Sequence, residues 1–209
     1  MNGPVLAPDL VRAADGPPTD EGDGMQRELV IRAQGGDVEA FSMLTASRTG
    51  RLLAAARLIL RQDDRAADAV QDTLLQAWID LRGLRDPDRF DAWLHRLLVR
   101  ACYRAAGRHR LREITEIDIA DAPEPASADL HREVAVRDQL DRAFRRLSPE
   151  HRTIIVLRHY LGLSQAETAE ALGVPLGTAQ SRLDRAAREM RASLAADDRQ
   201  PSMIEGMAR

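Results

Sequence analysis

Lysine is missing from this 209-residue chain, so every one of its 30 basic residues is arginine. Cysteine is nearly missing as well. The single Cys102 excludes an internal disulfide and leaves a cysteine-based zinc site without a second ligand, which argues against redox chemistry. Long apolar runs are absent: none approaches the roughly 20 residues that span a bilayer, and the first residues lack the basic start and apolar middle of a secretory signal. A cytoplasmic protein with no membrane segment is the expectation. Catalytic signatures are missing too. His95, His109, His131, His151 and His159 show no paired metal-ligand spacing, and the chain has no Gly-rich phosphate loop, no Gly-x-Ser-x-Gly elbow and no Cys-His arrangement. These absences predict no metal, no cofactor and no enzymatic activity of the chain's own.

What is present is charge and helical period. Hydrophobic residues make up 44% and charged residues 30%, the balance of a globular chain that can bury a core in one or two domains. The net charge of −3 hides a segregation. Residues 1–24 carry −4, 25–112 carry +5, 113–135 carry −6, 136–194 carry +3 and 195–209 carry −1. Two basic blocks are thus separated by an acidic stretch. The acidic segments read as unfolded. Residues 1–24 hold four of the ten prolines, and "EIDIADAPEPASADLHRE" has little sustained apolar period. The expected order is a disordered tail (1–24), a domain (25–112), a flexible linker (113–135), a second domain (136–194) and a short tail (195–209). The spacing of Ile114, Ile117 and Ile119 leaves open a linker packed across one of the domains.

Both basic blocks read as helices, predicting an all-α fold of two small domains. In the first, Asp37 is a plausible N-cap before Phe41, Leu44, Leu52, Ala56 and Ile59 at helical spacing. Asp63 or Asp64 caps the next helix, with Ala67, Val70, Leu74, Trp78 and Leu81 on one stripe and Asp68, Gln71, Asp72 and Leu75 on a neighbouring face. Asp86 and Pro87 then start a helix whose apolar stripe is Phe90, Trp93, Leu94, Leu97 and Ala101. Its opposite side carries Arg96, Arg100, Arg104 and Arg108, aligned by their spacing of four.

In the second block, Val136, Leu140, Ala143, Phe144 and Leu147 share a face, and Ser148 with Pro149 opens a helix that Gly162 ends. Ser164 and Glu167 form a capping box, and Gly173 supplies a left-handed stop. The last helix places Leu176, Ala179, Leu183, Ala186, Met190 and Leu194 inward, with Thr178, Ser181, Arg182 and Arg185 outward. Two helices joined by a tight Gly-containing turn are a helix-turn-helix, whose second helix can enter the major groove of DNA. Arginine there pairs with guanine or phosphate, and Thr or Ser with bases or backbone. Two core helices with a solvated arginine face give the same pattern.

The segment "LSPEHRTIIVLRHYLGLSQAETAEALGVPLGTAQSRLDRAAREM" resembles region 4 of bacterial sigma factors of the sigma-70 family, in particular the extracytoplasmic-function group. "DVEAFSML", "DAVQDTLLQAW" and "DRFDAWLHRLLVRACYRAAGRHR" are similar to region 2 of the same group, and the acidic stretch matches its linker. The resemblance covers about residues 27 to 194. It implies a dissociable initiation subunit of RNA polymerase. Region 2 of this family docks on the clamp helices of the largest polymerase subunit and opens the −10 element, while region 4 sits on the flap of the second subunit and reads the −35 element. The polymerase docking residues implied are Asp68, Gln71, Asp72 and Leu75. The loop "RGLRDPDRF" matches the segment that holds a flipped base of the −10 strand, with Arg82, Arg85 and Arg89 on phosphates and Arg96, Arg100 and Arg104 along an electrostatic track. At the −35 element the residues implied are Thr178, Gln180, Ser181, Arg182, Asp184 and Arg185. An anti-sigma factor that holds both domains and masks both polymerase surfaces is a further partner common in the group.

Some positions depart from the family pattern. Arg100 and Tyr103 stand where Asn and Asp are usual, so −10 base preferences do not carry over. Gln180 replaces a basic residue, Asp184 a His or aromatic, and Ala67 a frequent Glu beside Asp68. Asp184 repels phosphate yet accepts a hydrogen bond from cytosine, which implies a weaker or unusual −35 contact. Two other readings of the same residues are a homodimeric helix-turn-helix repressor or activator acting without polymerase, and a helical interaction module with no DNA role.

Overall fold

The structure, a computed structural model, describes residues 20–113 and 131–198. Among these residues it is all-α, as the periodicities predict. Eight helices follow in chain order: α1 (Asp20–Gln34), α2 (Val38–Leu60), α3 (Asp63–Asp80), α4 (Phe90–Glu113), α5 (His131–Arg146), α6 (Pro149–Ile155), α7 (Gln165–Leu172) and α8 (Leu176–Asp198). Two 3₁₀ turns, Leu81–Gly83 and Pro87–Arg89, lead from α3 into α4, and a π-helical turn, Val156–Tyr160, extends α6. The greater part of the expected tails and linker, residues 1–19, 114–130 and 199–209, lies outside the described residues. Their inner edges are helical where the sequence suggested irregular chain: residues 20–24 belong to α1, 131–135 to α5 and 195–198 to α8. Extending an existing helix adds a hydrogen bond for each residue fixed and needs no new nucleus, so polar composition alone does not stop it.

Local chemistry sets the helix ends. Asp37 caps α2 by accepting from the Ala40 amide at 2.9 Å, and Arg32 donates to its other oxygen at 3.0 and 2.8 Å. The Ala40 amide and then Arg32 hold this carboxyl below its ordinary range. α3 corrects the expectation of an aspartate cap. Its N-cap is Gln62, with no side-chain bond, and Asp63 and Asp64 sit in the first turn, where negative charge meets the helix dipole. Ser148 and Ser164 cap α6 and α7 as expected, and the reciprocal bonds of Ser164 with Glu167 hold the Glu167 carboxyl low.

Helices α2, α3 and α4 enclose the main core. Leu44, Leu52, Ile59, Leu81, Phe90, Leu94 and Leu98 are fully buried there, each contributing about 1.5–3 kcal/mol. On α3 the buried centre is Ala66, Ala69, Val70, Thr73 and Ala77, so the seam is turned slightly from the predicted stripe, leaving Leu74 and Trp78 partly buried. Small residues let α3 lie close. Phe41 meets Trp78 edge-on at 5.1 Å, and the Arg48 guanidinium lies 5.5 Å over the Phe90 ring while its Nε donates to Asp91 at 2.5 Å. Cys102 is buried, and burial pushes its thiol up to about 12, the behaviour of an inert core residue.

The two halves pack on one another, which the reading of two tethered domains does not anticipate. α4 lies against α7, and α2 against α6 and its π turn. Val156, Leu157, Leu161, Leu163 and Ala171 share the cluster of the first-half core. The second half keeps smaller seams of its own, with Ile154, Ala169, Ala179 and Ala186 in one and Ala143, Leu147 and Met190 in another. Arg51 reaches across to the carbonyl of Leu161 at 3.0 Å, and Arg61 to that of Arg145 at 3.2 Å. Between the halves lies a cleft of about 300 Å³ lined by Arg48, Arg51, Asp91, His95 and Glu167.

His95 faces this cleft with Nδ1 sealed from solvent and unpartnered. Desolvation pushes its pKa down to about 4, opposed by Asp91 and Glu167 and reinforced by Arg51 and Arg48. The unfolded chain titrates near 6.5, so the stability gained from a neutral ring is complete above that pH and is lost as pH falls toward 4. Urea unfolding at pH 5.0 is expected to give about 2 kcal/mol less stability than at pH 7.5, and clearly less difference in His95→Gln; an equal loss in both chains removes His95 as the cause. Gly173 supports a second expectation. At φ 67° with nothing within 4 Å of an added Cβ, Gly173→Ala meets only the left-handed backbone cost of about 1–2 kcal/mol, so its melting temperature falls while Gly173→Asn falls less.

Candidate nucleic-acid and polymerase interfaces

The helix-turn-helix is α7, the Gly173 turn and α8. Val174 donates to the Ala169 carbonyl at 3.0 Å and Gly173 to that of Glu170 at 3.1 Å, the paired bonds of a Schellman stop. Val174 packs back on the Ala169 cluster, which sets the angle at which α8 leaves. Pro175 then provides the carbonyl that receives the Thr178 and Ala179 amides, both at 3.0 Å. Ala179, Ala186 and Met190 are buried, so the other side of α8 is committed outward.

That outward side carries the residues expected at the −35 element, though not all are equally free. Thr178, Gln180, Asp184 and Arg185 are exposed, while Ser181 and Arg182 are half-buried. Arg182 leans back to Glu150 at 3.7 Å, and Gln180 donates to Gln165 of α7 at 2.7 Å. Leu176, expected in the core, is 47% exposed. It sits in the first turn of α8, where the side chain points back past the supporting helices. An exposed leucine beside polar groups gives this end a patch suited to thymine methyls as well as hydrogen-bonding edges.

On the first half, Arg82 and Arg85 stand exposed on the loop between α3 and α4. Gln34 of α1 fixes that loop by donating to the carbonyls of Leu81 at 3.0 Å and Leu84 at 2.7 Å, and Arg27 pairs with Asp88 at 2.7 Å. Nothing in the local sequence marks Gln34 for this part, because its partners lie about fifty residues on. Along α4, Arg100 and Arg104 are exposed, whereas Arg96 is half-buried; the side chain of Arg108 lies outside the described residues. Arg89 and Arg96 both pair with Glu170 of α7. Among the described arginines of the track, Arg100 and Arg104 are therefore open and Arg96 is engaged, as is Arg89 of the loop. Tyr103 turns into the core with its hydroxyl sealed, and burial raises its pKa.

The expected docking face lies on α3. Asp68, Gln71 and Leu75 are exposed and Asp72 is half-buried. Leu75 is 61% exposed and Ile79, one turn further, is 60% exposed. The face is thus acidic toward the start of α3 and apolar toward its end. Ile79 was legible as the continuation of the Asp68, Asp72, Leu75 spacing. Arg152, by contrast, is buried and its pKa falls to about 10 through desolvation, so not every arginine of this chain serves a surface.

Comparison with known proteins identifies both halves of the chain. The family model for Sigma-70 region 2 matches residues 46–112, and that for Sigma-70, region 4 matches residues 137–190. The RNA polymerase sigma-E factor of Streptomyces coelicolor is 30% identical over 170 residues, covering 81% of this chain and 94% of that protein. The ECF RNA polymerase sigma factor SigM of Mycobacterium tuberculosis is 33% identical over 159 residues, 76% of this chain and 79% of that one. Among solved structures, CnrH in complex with the cytosolic domain of CnrY is 30% identical with a TM-score of 0.59, covering 83% of this chain and 99% of that chain. The sigma factor RpoE of Bartonella quintana, in complex with the anti-sigma factor NepR, is 28% identical with a TM-score of 0.59, covering 77% and 99%. None of these relatives supports a homodimeric repressor acting without polymerase. With both regions matched in order and relatives aligned over most of its length, this chain belongs to the sigma-70 family, as a sigma factor of the extracytoplasmic-function group.

Proposed function

We propose that this sigma factor works through the exposed faces of α3 and α8, with residues 25–112 as the polymerase-docking and −10 domain and residues 136–194 as the −35 domain. As a member of its family it binds core RNA polymerase and directs promoter-specific initiation. Asp68, Gln71, Asp72 and Leu75 dock on the clamp helices of the largest subunit, the carboxylates toward arginine or lysine and Leu75 with Ile79 into an apolar contact. Residues 136–194 rest on the flap of the second subunit. Thr178, Gln180, Ser181, Arg182, Asp184 and Arg185 meet the −35 major groove, and Arg82, Arg85, Arg89, Arg96, Arg100 and Arg104 receive the −10 strand.

The observation that carries this reading is the exposure of Thr178, Gln180, Asp184 and Arg185 together on the opening turns of α8, directly after the Schellman stop. The polymerase supplies the bond-forming chemistry, and the protein acts in the cytoplasm with it. Two solved relatives are held in complexes, one with the anti-sigma factor NepR and one with CnrY. We extend regulation of that kind to this chain, with a protein that covers the α3 face as its means.

Transcription with sigma-free core polymerase and a genomic fragment library tests the assignment. Arg185→Glu is expected to lower specific transcripts about 10- to 100-fold, the loss of a groove contact worth about 1–3 kcal/mol, while core binding is retained. Leu75→Asp is expected to weaken core binding at least tenfold, about 1.4 kcal/mol. Undiminished transcripts from the Arg185 variant overturn the −35 role of α8, and unaltered core affinity of the Leu75 variant overturns the docking face.

A further inference from the structure

The polar side chains of α8 are not all presented alike. Ser181 turns its hydroxyl back to the Thr178 carbonyl at 3.0 Å and Arg182 leans toward Glu150, whereas Gln180 is held from outside its own helix. Its Nε2 donates at 2.7 Å to Oε1 of Gln165, the first residue of α7, and both glutamines are exposed. The bond therefore spans the two helices of the helix-turn-helix, on the flank of α8 that faces α7. Arg158, which lines the same small groove, is engaged elsewhere, with the Leu163 carbonyl.

A carboxamide carries two N–H groups and one carbonyl oxygen. It needs only one N–H and the oxygen to read a base edge, so the bond to Gln165 and a contact with DNA can be satisfied together. The donor and acceptor that remain on Gln180 match adenine, which offers the N7 acceptor beside the N6 amino donor in the major groove. Guanine sets two acceptors, N7 and O6, against the glutamine oxygen, thymine has O4 and a methyl group, and cytosine a single amino donor. The bond to Gln165 also fixes a long side chain before DNA arrives, so less rotamer freedom is lost on contact. Two neighbours on this flank fit the same edge. Gly177, three residues before Gln180, is exposed with nothing within 4 Å of an added Cβ, which lets a base pair come close. Asp184, one turn after Gln180, is exposed and adds an acceptor, which favours bases that present amino groups and opposes guanine. Gln165, Gly177, Gln180 and Asp184 carry no positive charge, so this flank suits base edges rather than phosphate.

We propose that Gln165 and Gln180 act as one reading unit, in which Gln180 bonds N6 and N7 of an adenine at a single position of the −35 element and Gln165 is the positioning residue that holds its amide. This rests on the reading of α8 as the −35 helix. Glutamine in place of the family's usual basic residue at position 180 thereby exchanges a guanine or phosphate contact for an adenine contact, and gives this chain a −35 preference of its own.

Holoenzyme assembled from the full-length chain and core polymerase, given a promoter recovered from the genomic fragment library and randomised across its −35 element, reports base preference through the transcripts it makes. The wild-type chain is expected to favour adenine over guanine about tenfold at one position. Gln180→Ala is expected to abolish that preference and leave the other positions unchanged, and Gln180→Arg to move it to guanine at the same position. Gln165→Ala is expected to weaken the adenine preference about threefold without moving it, the loss carried by a side chain that must be immobilised on contact. Gln165→Glu keeps the accepting oxygen and is expected to retain the preference, a rescue that a merely structural role does not give. Unchanged core affinity shows each variant to be folded. A −35 profile unaltered by Gln180→Ala but erased by Arg185→Glu overturns the adenine reading alone. A profile unaltered by either overturns the −35 role of α8 and this proposal with it. An adenine preference of equal size in the wild type and Gln165→Ala overturns the two glutamines as a unit.

Discussion

Apolar burial between the two halves governs this structure. Leu157, Leu161 and Leu163 leave the end of the second half's third-to-last helix segment and enter the cluster formed by Leu44, Leu52, Phe90 and Leu98. The second half has little core of its own, with Ile154, Ala169, Ala179 and Ala186 as its largest seam. A bundle that small buries a modest share of its surface, so leaning on the larger half is energetically favoured. The contact brings α7 onto α4 and thereby decides which arginines face water. It also creates the cleft in which His95 is kept neutral.

Arginine does several unlike jobs here because its guanidinium combines a fixed charge with five donors. Arg48 stacks on Phe90 and holds Asp91; Arg51 and Arg61 tie the halves through backbone carbonyls; Arg32 completes a helix cap. Only part of the basic surface remains for DNA. Glu170 engages Arg89 and Arg96 from across the two halves. The π turn at Val156–Tyr160 belongs to the same economy of contacts: its widened end turns the Tyr160 and Leu161 carbonyls to Arg51.

Much of the local structure was legible in the sequence. Asp37, Asp86, Ser148 and Ser164 cap where their residue types predict, and Gly173 takes the left-handed stop. The misses share a cause. Gln62 caps α3 in place of its acidic neighbours, and the seam of that helix is set by Ala66, Ala69, Thr73 and Ala77 because close packing favours small residues over the larger ones that dominate a hydrophobic stripe. Leu176 reads as core from its spacing and is exposed because its helix begins beyond its supports. The site residues of α3 and α8 were visible as polar or acidic faces. Gln34 and Glu170 were not, since their partners stand 47 and more residues away.

Sequence alone determined most of the helices and of their caps, the two basic blocks, and the resemblance that assigns each block a region, because these depend on neighbours within a turn or two. Tertiary structure alone decided that the blocks touch, that Glu170 meets Arg89 and Arg96, and that the His95 Nδ1 is sealed. Those outcomes depend on which surfaces find one another across long stretches of chain. Periodicity shows that a face is apolar or charged, and only three-dimensional packing selects the face that covers it.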